Sequence, residues 1–128
     1  MNFTKAFGIN SNPGAKMDYT VVNDSHYWVD DSNSSYYNRF VSTEDVTKDW
    51  SSAEHIVDYP IYYNYCLSTD YNISCVPGKG SAIFFHCLNY RPTNGCVSLP
   101  EQYMVELLKN VNENTVIIID TEKNIWNY

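Results

Sequence analysis

The chain of 128 residues reads as a mainly β fold, a mixed β-sheet or sandwich with one clear α-helix. Three observations carry that reading. Twelve tyrosines and few alanines tilt the composition toward strands. Short aromatic or β-branched runs alternate with segments rich in Asn, Ser, Asp, Gly and Pro, which turn the chain. One stretch, downstream of Cys96, repeats apolar residues at helical spacing.

Taken in order, residues 18–23 and 26–29 read as short strands parted by Asp24-Ser25. Residues 30–38 are polar and turn-rich, a surface loop. Asp30 and Asp31 within it would point to opposite faces of a strand, which does not set two carboxylates across a sugar. Residues 41–56 hold Trp50 and a short helix near 51–56. Residues 59–66 are a Tyr-rich strand with Pro60 near its start or on a sheet edge. Residues 81–87 form a continuous apolar run, the mark of a central strand buried on both faces.

The helix covers residues 99–111. Ser98-Leu99-Pro100-Glu101 has the form of a capping box, and Met104, Leu107, Leu108 and Val111 make the stripe that faces the core. Residues 115–120 are a closing strand, buried because Val116-Ile117-Ile118-Ile119 on an open edge would invite aggregation. Residues 1–128 are expected to form one domain, which buries roughly two-thirds of its unfolded surface.

The net charge of −7 argues against a nucleic-acid partner, whose binding rests on basic surface. No run approaches the roughly 20 apolar residues of a membrane-crossing helix, and the first residues do not form a signal peptide. Cys66 and Cys75 flank a stretch with the turn formers Ser68, Asp70 and Asn72. A hairpin there would let them form a disulfide in an oxidising compartment; two free thiols are the alternative.

The chemistry concentrates around two residues. His86 ends the apolar run, and Arg91-Pro92-Thr93-Asn94-Gly95 reverses the chain just before Cys96. If residues 88–94 close an antiparallel loop, His86 stands opposite Cys96 with Cβ atoms about 4.5–5.5 Å apart. A neighbouring imidazole is a common means of making a thiolate nucleophile. The helix that starts two residues after Cys96 would favour the thiolate further through its positive end. A metal site from His86, Cys87 and Cys96 lacks a fourth ligand and the short cysteine spacing of zinc sites, so none is expected, nor any cofactor. The competing reading of these positions is a buried inert thiol and a structural histidine.

The residues also resemble a known family. Gly78-Lys79-Gly80-Ser81-Ala82-Ile83-Phe84-Phe85-His86, followed by Pro92-Thr93-Asn94-Gly95-Cys96-Val97-Ser98-Leu99-Pro100, is similar to the signature of the YkuD-type L,D-transpeptidase catalytic domain. Phe7-Gly8, Asn12-Pro13-Gly14, Tyr27-Trp28-Val29-Asp30-Asp31, Tyr37-Asn38 and Trp50-Ser51-Ser52-Ala53-Glu54 resemble its upstream segments, so the likeness covers nearly the whole chain. It implies a YkuD-like fold, with Cys96 as acyl-enzyme nucleophile and His86 as general base. Gly95 and Cys96 would supply oxyanion N–H groups, and Cys87 and Asn94 hold positions beside the reacting pair. Trp28, Ser81, Thr93 and Ser98 are implied as substrate contacts.

The partners implied are a peptidoglycan stem peptide and carbapenem-type covalent inhibitors, with work outside the cytoplasmic membrane. A non-catalytic wall-binding module of the same fold, or a peptidoglycan cysteine carboxypeptidase, are the alternatives. Position 94 is Asn where many members carry a second histidine, and position 98 is Ser where many carry Arg or Asn. The family's strands before Phe7-Gly8, with their Thr-Pro-x-Gly segment, are not found here. We therefore expect missing N-terminal strands, an export signal further upstream and an open sheet edge.

Overall fold

A computed structural model of the chain describes residues 1–89 and 91–128. Its strands are β1 (Phe3–Gly8), β2 (Tyr19–Val21), β3 (His26–Val29), β4 (Phe40–Ser42), β5 (Ala53–His55), β6 (Cys66–Thr69), β7 (Phe84–Cys87) and β8 (Val97–Leu99), followed by helix α1 (Glu101–Asn110). Short 3-10 turns occupy Ile56–Asp58 and Ile125–Asn127. The mainly β expectation with one helix after Cys96 holds.

Two sheets form. One has five strands in the order β2-β1-β6-β7-β8, the other three in the order β4-β3-β5. Strands β1 and β6, and β6 and β7, run antiparallel; β1 with β2 and β7 with β8 run parallel. Alternating residues of the large sheet face two separate cores. Phe7, Cys66 and Phe84 join Trp28, Ile56 and Tyr63 between the sheets. Ala6, Leu67 and Cys87 join Met104, Leu108 and Val111 on the helix side. A strand read as buried on both faces is therefore buried for a physical reason: each face has its own apolar layer.

Phe84 is the hub of the inter-sheet core. Its ring lies 4.6 Å from that of Trp28 and 5.4 Å from that of Phe7, both edge-on. Phe84→Ala is expected to cost about 3–5 kcal/mol, because a fully buried ring leaves a cavity its neighbours cannot fill. A urea melt reads this directly, and a loss under about 1 kcal/mol would show that the layer collapses freely. At Gly8 the backbone permits no side chain, since a Cβ would collide with the Asn64 carbonyl oxygen.

Several expectations are corrected. Strands β7 and β8 pair in parallel, with His86 beside Ser98, so the turn before Cys96 does not close an antiparallel hairpin. The connection between them instead carries the chain back to restart in the same direction; Tyr90, within the expected loop, lies outside the described residues. Ser98 is a strand residue, not a helix cap. The N-cap is Pro100 with no side-chain bond, and Glu101 accepts from Asn64 Nδ2 at 3.0 Å instead.

Residues 59–65 form turns rather than a strand. The run at 115–119 makes only an isolated bridge, Val116 to Asn2, leaving Val116 66% and Ile119 62% exposed. The run meets only Met1 and Asn2, just ahead of β1, whose residues Ala6–Gly8 pair with β2 and whose other side pairs with β6. Cys66 and Cys75 are free thiols. The chain returns to β6 through β7, not through residue 75, so Cys66 stays 0% exposed in the core while Cys75 Sγ turns to the Asn38 and Ile73 carbonyls.

Candidate active site

Strand alternation puts Phe84 and His86 on the face of the large sheet that meets the small sheet. Continuing the β7–β8 register back one residue sets Cys96 beside Phe84, on that same face. The Phe84 N–H donates to Cys96 Sγ at 3.5 Å, and the thiol donates to the Ala82 carbonyl at 3.2 Å. Cys96 and His86 line one cavity of about 550 Å³. The pairing is parallel rather than antiparallel, yet the two side chains share a face because they lie two steps apart across adjacent strands.

His86 is 5% exposed, with the rings of Tyr62 and Tyr63 edge-on to its imidazole at 6.0 and 5.6 Å. Its Nδ1 bonds the carbonyl of Cys87 at 2.9 Å. A carbonyl only accepts, so Nδ1 carries the proton and Nε2 is the free lone pair. The Cys87 side chain faces the other way, among the helix-side residues, with Sγ 3.7 Å from the Tyr65 carbonyl. Cys87 thus touches the imidazole through its backbone alone.

The electrostatics correct a second expectation. Burial pushes the Cys96 thiol up from its ordinary value, the Phe84 N–H draws it partly back, and the Glu54 carboxylate raises it again. Burial likewise lowers the His86 imidazole, against the pull of the Cys87 carbonyl. The helix does not reverse this, because strand β8 separates Cys96 from the first turn of α1. The resting pair is a neutral thiol and a neutral imidazole. Among the described residues, no hydrogen bond joins them in this geometry.

The other implied positions divide. Ser81, Thr93 and Asn94 line the cavity, and the Thr93 hydroxyl donates to the Cys96 carbonyl, bracing the turn that leads into Cys96. Gly95 adopts φ +121°, a conformation that disfavours any side chain. Trp28 does not reach the cavity: it is buried between the sheets with Nε1 on Asn38 Oδ1 at 3.0 Å. Ser98 sits beside His86 in the ladder but outside the cavity lining.

The model of the YkuD L,D-transpeptidase catalytic domain matches residues 6–119. The chain belongs to the L,D-transpeptidase family. Neither a curated protein nor a solved structure matched it. The family acts on peptidoglycan, and no helix among the described residues is long and apolar enough to cross a membrane.

Part of the lining of this transpeptidase-family cavity comes from residues that the motifs do not assign. Glu54, Tyr63 and Asp30 line it, with Tyr59, Tyr62 and Arg91. The Tyr63 hydroxyl donates to Glu54, and Ser52 Oγ donates to Asp30 at 2.6 Å. The one sequence signal for Glu54 was its place in the Trp50-Ser51-Ser52-Ala53-Glu54 segment. Burial raises the Glu54 carboxyl, the Tyr63 hydroxyl opposes this, and Asp30 adds to it.

An acid raised in the fold binds more protons there than in the unfolded chain, so stability falls as pH rises above 4.5 through the raised value. Glu54→Gln keeps an acceptor for Tyr63 and removes the charge. It is expected to flatten that slope and raise the melting temperature at neutral pH; an unchanged pH profile would show that Glu54 is solvated.

Proposed function

We propose that the domain transfers acyl groups from peptidoglycan stem peptides through a thioester on Cys96. The observation that carries this reading is the common face: Cys96 and His86 line one cavity, and the Cys87 carbonyl leaves His86 Nε2 as the base. The Cys96 sulfur attacks the carbonyl between the third and fourth residues of the stem. His86 Nε2 takes the thiol proton as the S–C bond forms, because the resting thiol is neutral. It then gives that proton to the departing amine, and the terminal D-amino acid leaves.

The N–H groups of Gly95 and Cys96 are the proposed donors to the oxyanion. An amine acceptor next loses its proton to His86 and attacks the thioester, which breaks the C–S bond and restores the thiol. Water in place of the amine makes the same site a carboxypeptidase. β-Lactams of the carbapenem type would acylate the same sulfur, and the work takes place outside the cytoplasmic membrane.

The test is to incubate the protein with a stem tetrapeptide and an amine acceptor. Release of the terminal D-residue with a new amide product supports transfer. Release without that product assigns hydrolysis. No release from the folded protein contradicts both and leaves a non-catalytic module.

A further inference from the structure

The sulfur's hydrogen-bond acceptor, the Ala82 carbonyl, belongs to a residue in an unfavourable backbone conformation. Ala82 has φ +57°, in the left-handed region that a residue with a Cβ seldom occupies. It is buried, and its carbonyl oxygen is the one that receives the Cys96 thiol. Something must hold it. The Ala82 N–H donates to Asn38 Oδ1 at 3.1 Å.

Asn38 is suited to that task. It is buried in the loop between β3 and β4, itself left-handed at φ +57°, which asparagine tolerates. Its carboxamide uses its full capacity. Oδ1 accepts from Trp28 Nε1 and Ala82 N, and Nδ2 donates to the carbonyls of Tyr71 at 3.2 Å and Asn72 at 2.8 Å. A flipped amide would set N–H against N–H on one side and oxygen against oxygen on the other, so its orientation is fixed. The adjoining residue acts on the same segment, since the Gly80 N–H donates to Tyr37 Oη at 3.1 Å. Asn72 Nδ2 donates to the Gly80 carbonyl at 2.9 Å and completes the clamp.

We propose that Asn38 is a positioning residue for the nucleophile: through Ala82 it fixes the left-handed turn whose carbonyl holds the Cys96 thiol. The role deepens the reading of Cys96 as nucleophile and rests on it. It also gives the Tyr37-Asn38 and Gly80-Ser81-Ala82 segments, distant in sequence, one shared purpose.

The test follows alkylation of Cys96 by iodoacetamide, read by peptide mass spectrometry at fixed pH, in the full chain. Asn38→Gly keeps the backbone conformation accessible and removes the side chain. With its acceptor released, the thiol should react about fivefold faster, the size of one modest hydrogen bond. Adding Ala82→Gly, which makes the left-handed turn unstrained without help, should return the rate to within about twofold of the original. A folded N38G protein with an unchanged rate overturns the proposal, as does acceleration that A82G fails to reverse.

If N38G does not fold, hydrogen exchange in the unaltered protein decides. The Ala82 amide should exchange at least about 100-fold slower than a free amide, and exchange at the free rate overturns the clamp. Turnover enters none of these readouts. Failure of Cys96 as nucleophile would instead appear as full peptide turnover in Cys96→Ala, a separate result.

Discussion

Cys96→Ala is expected to lower D-residue release by about ten-thousand-fold or more while leaving the fold intact, since among the described residues lining the cavity no other thiol is present. Cys96 is only half-buried at the cavity wall, and the substitution removes one weak donor to Ala82 and one weak acceptor from Phe84. A thermal melt should move little, which separates loss of chemistry from loss of structure. A folded C96A protein that still turns over stem peptide would remove the thioester from the reaction.

His86→Gln is expected to reduce turnover by about 10²–10⁴-fold, the usual worth of a positioned general base. The pH dependence has a defined sign. Burial lowers the imidazole below 6.5, so kcat/KM should fall only in acid below that value and stay level through neutrality. Alkylation of Cys96 without substrate should behave differently, climbing with pH through neutrality and still climbing past pH 9, because burial raises the thiol. A profile that instead tracks a thiolate formed below pH 7 would contradict the neutral resting pair.

The same His86 shift bears on stability. Between its lowered value and 6.5 the unfolded chain binds more protons, so stability rises with pH across that window and is lost in acid. His86→Gln should remove that part of the acid sensitivity. This effect opposes the one from Glu54, whose raised carboxyl makes stability fall with rising pH.

Much of the site was legible because its chemistry is local. The imidazole at the end of an apolar run, the turn formers and the thiol after them lie within one stretch of chain. The helix was equally plain, its stripe of Met104 and Leu108 now buried against β7 and its neighbours. The direction of the β7–β8 pairing was not legible, since a short turn-rich connection ordinarily returns a strand antiparallel. That reversal also displaced the helix from the sulfur, and with it the expectation of a stabilised thiolate.

Other parts depended on residues far apart in sequence. Strand β1 mixes a lysine, an alanine and a glycine among its aromatics, so Phe3-Thr4-Lys5-Ala6-Phe7-Gly8 carries little intrinsic strand signal; its neighbours β2 and β6 make it one. Trp28 was expected at the cleft because its segment matches the family, yet an indole with one polar atom satisfies it on Asn38 inside the core. Glu54 and Tyr63 meet in the cavity lining through a hydrogen bond no local pattern encodes. The apolar run at 115–119 shows the converse: local pattern demanded a buried strand, and the sheet had no open side long enough to take it.

The most direct measurement is peptide-level mass spectrometry after incubation with a carbapenem. Attack opens the lactam, the ring nitrogen takes the thiol proton and the whole inhibitor mass is retained. One adduct is expected, on the peptide carrying Cys96, absent from the C96A protein and leaving Cys66, Cys75 and Cys87 unmodified. An adduct on one of those three, or none on the folded protein, would contradict Cys96 as the nucleophile.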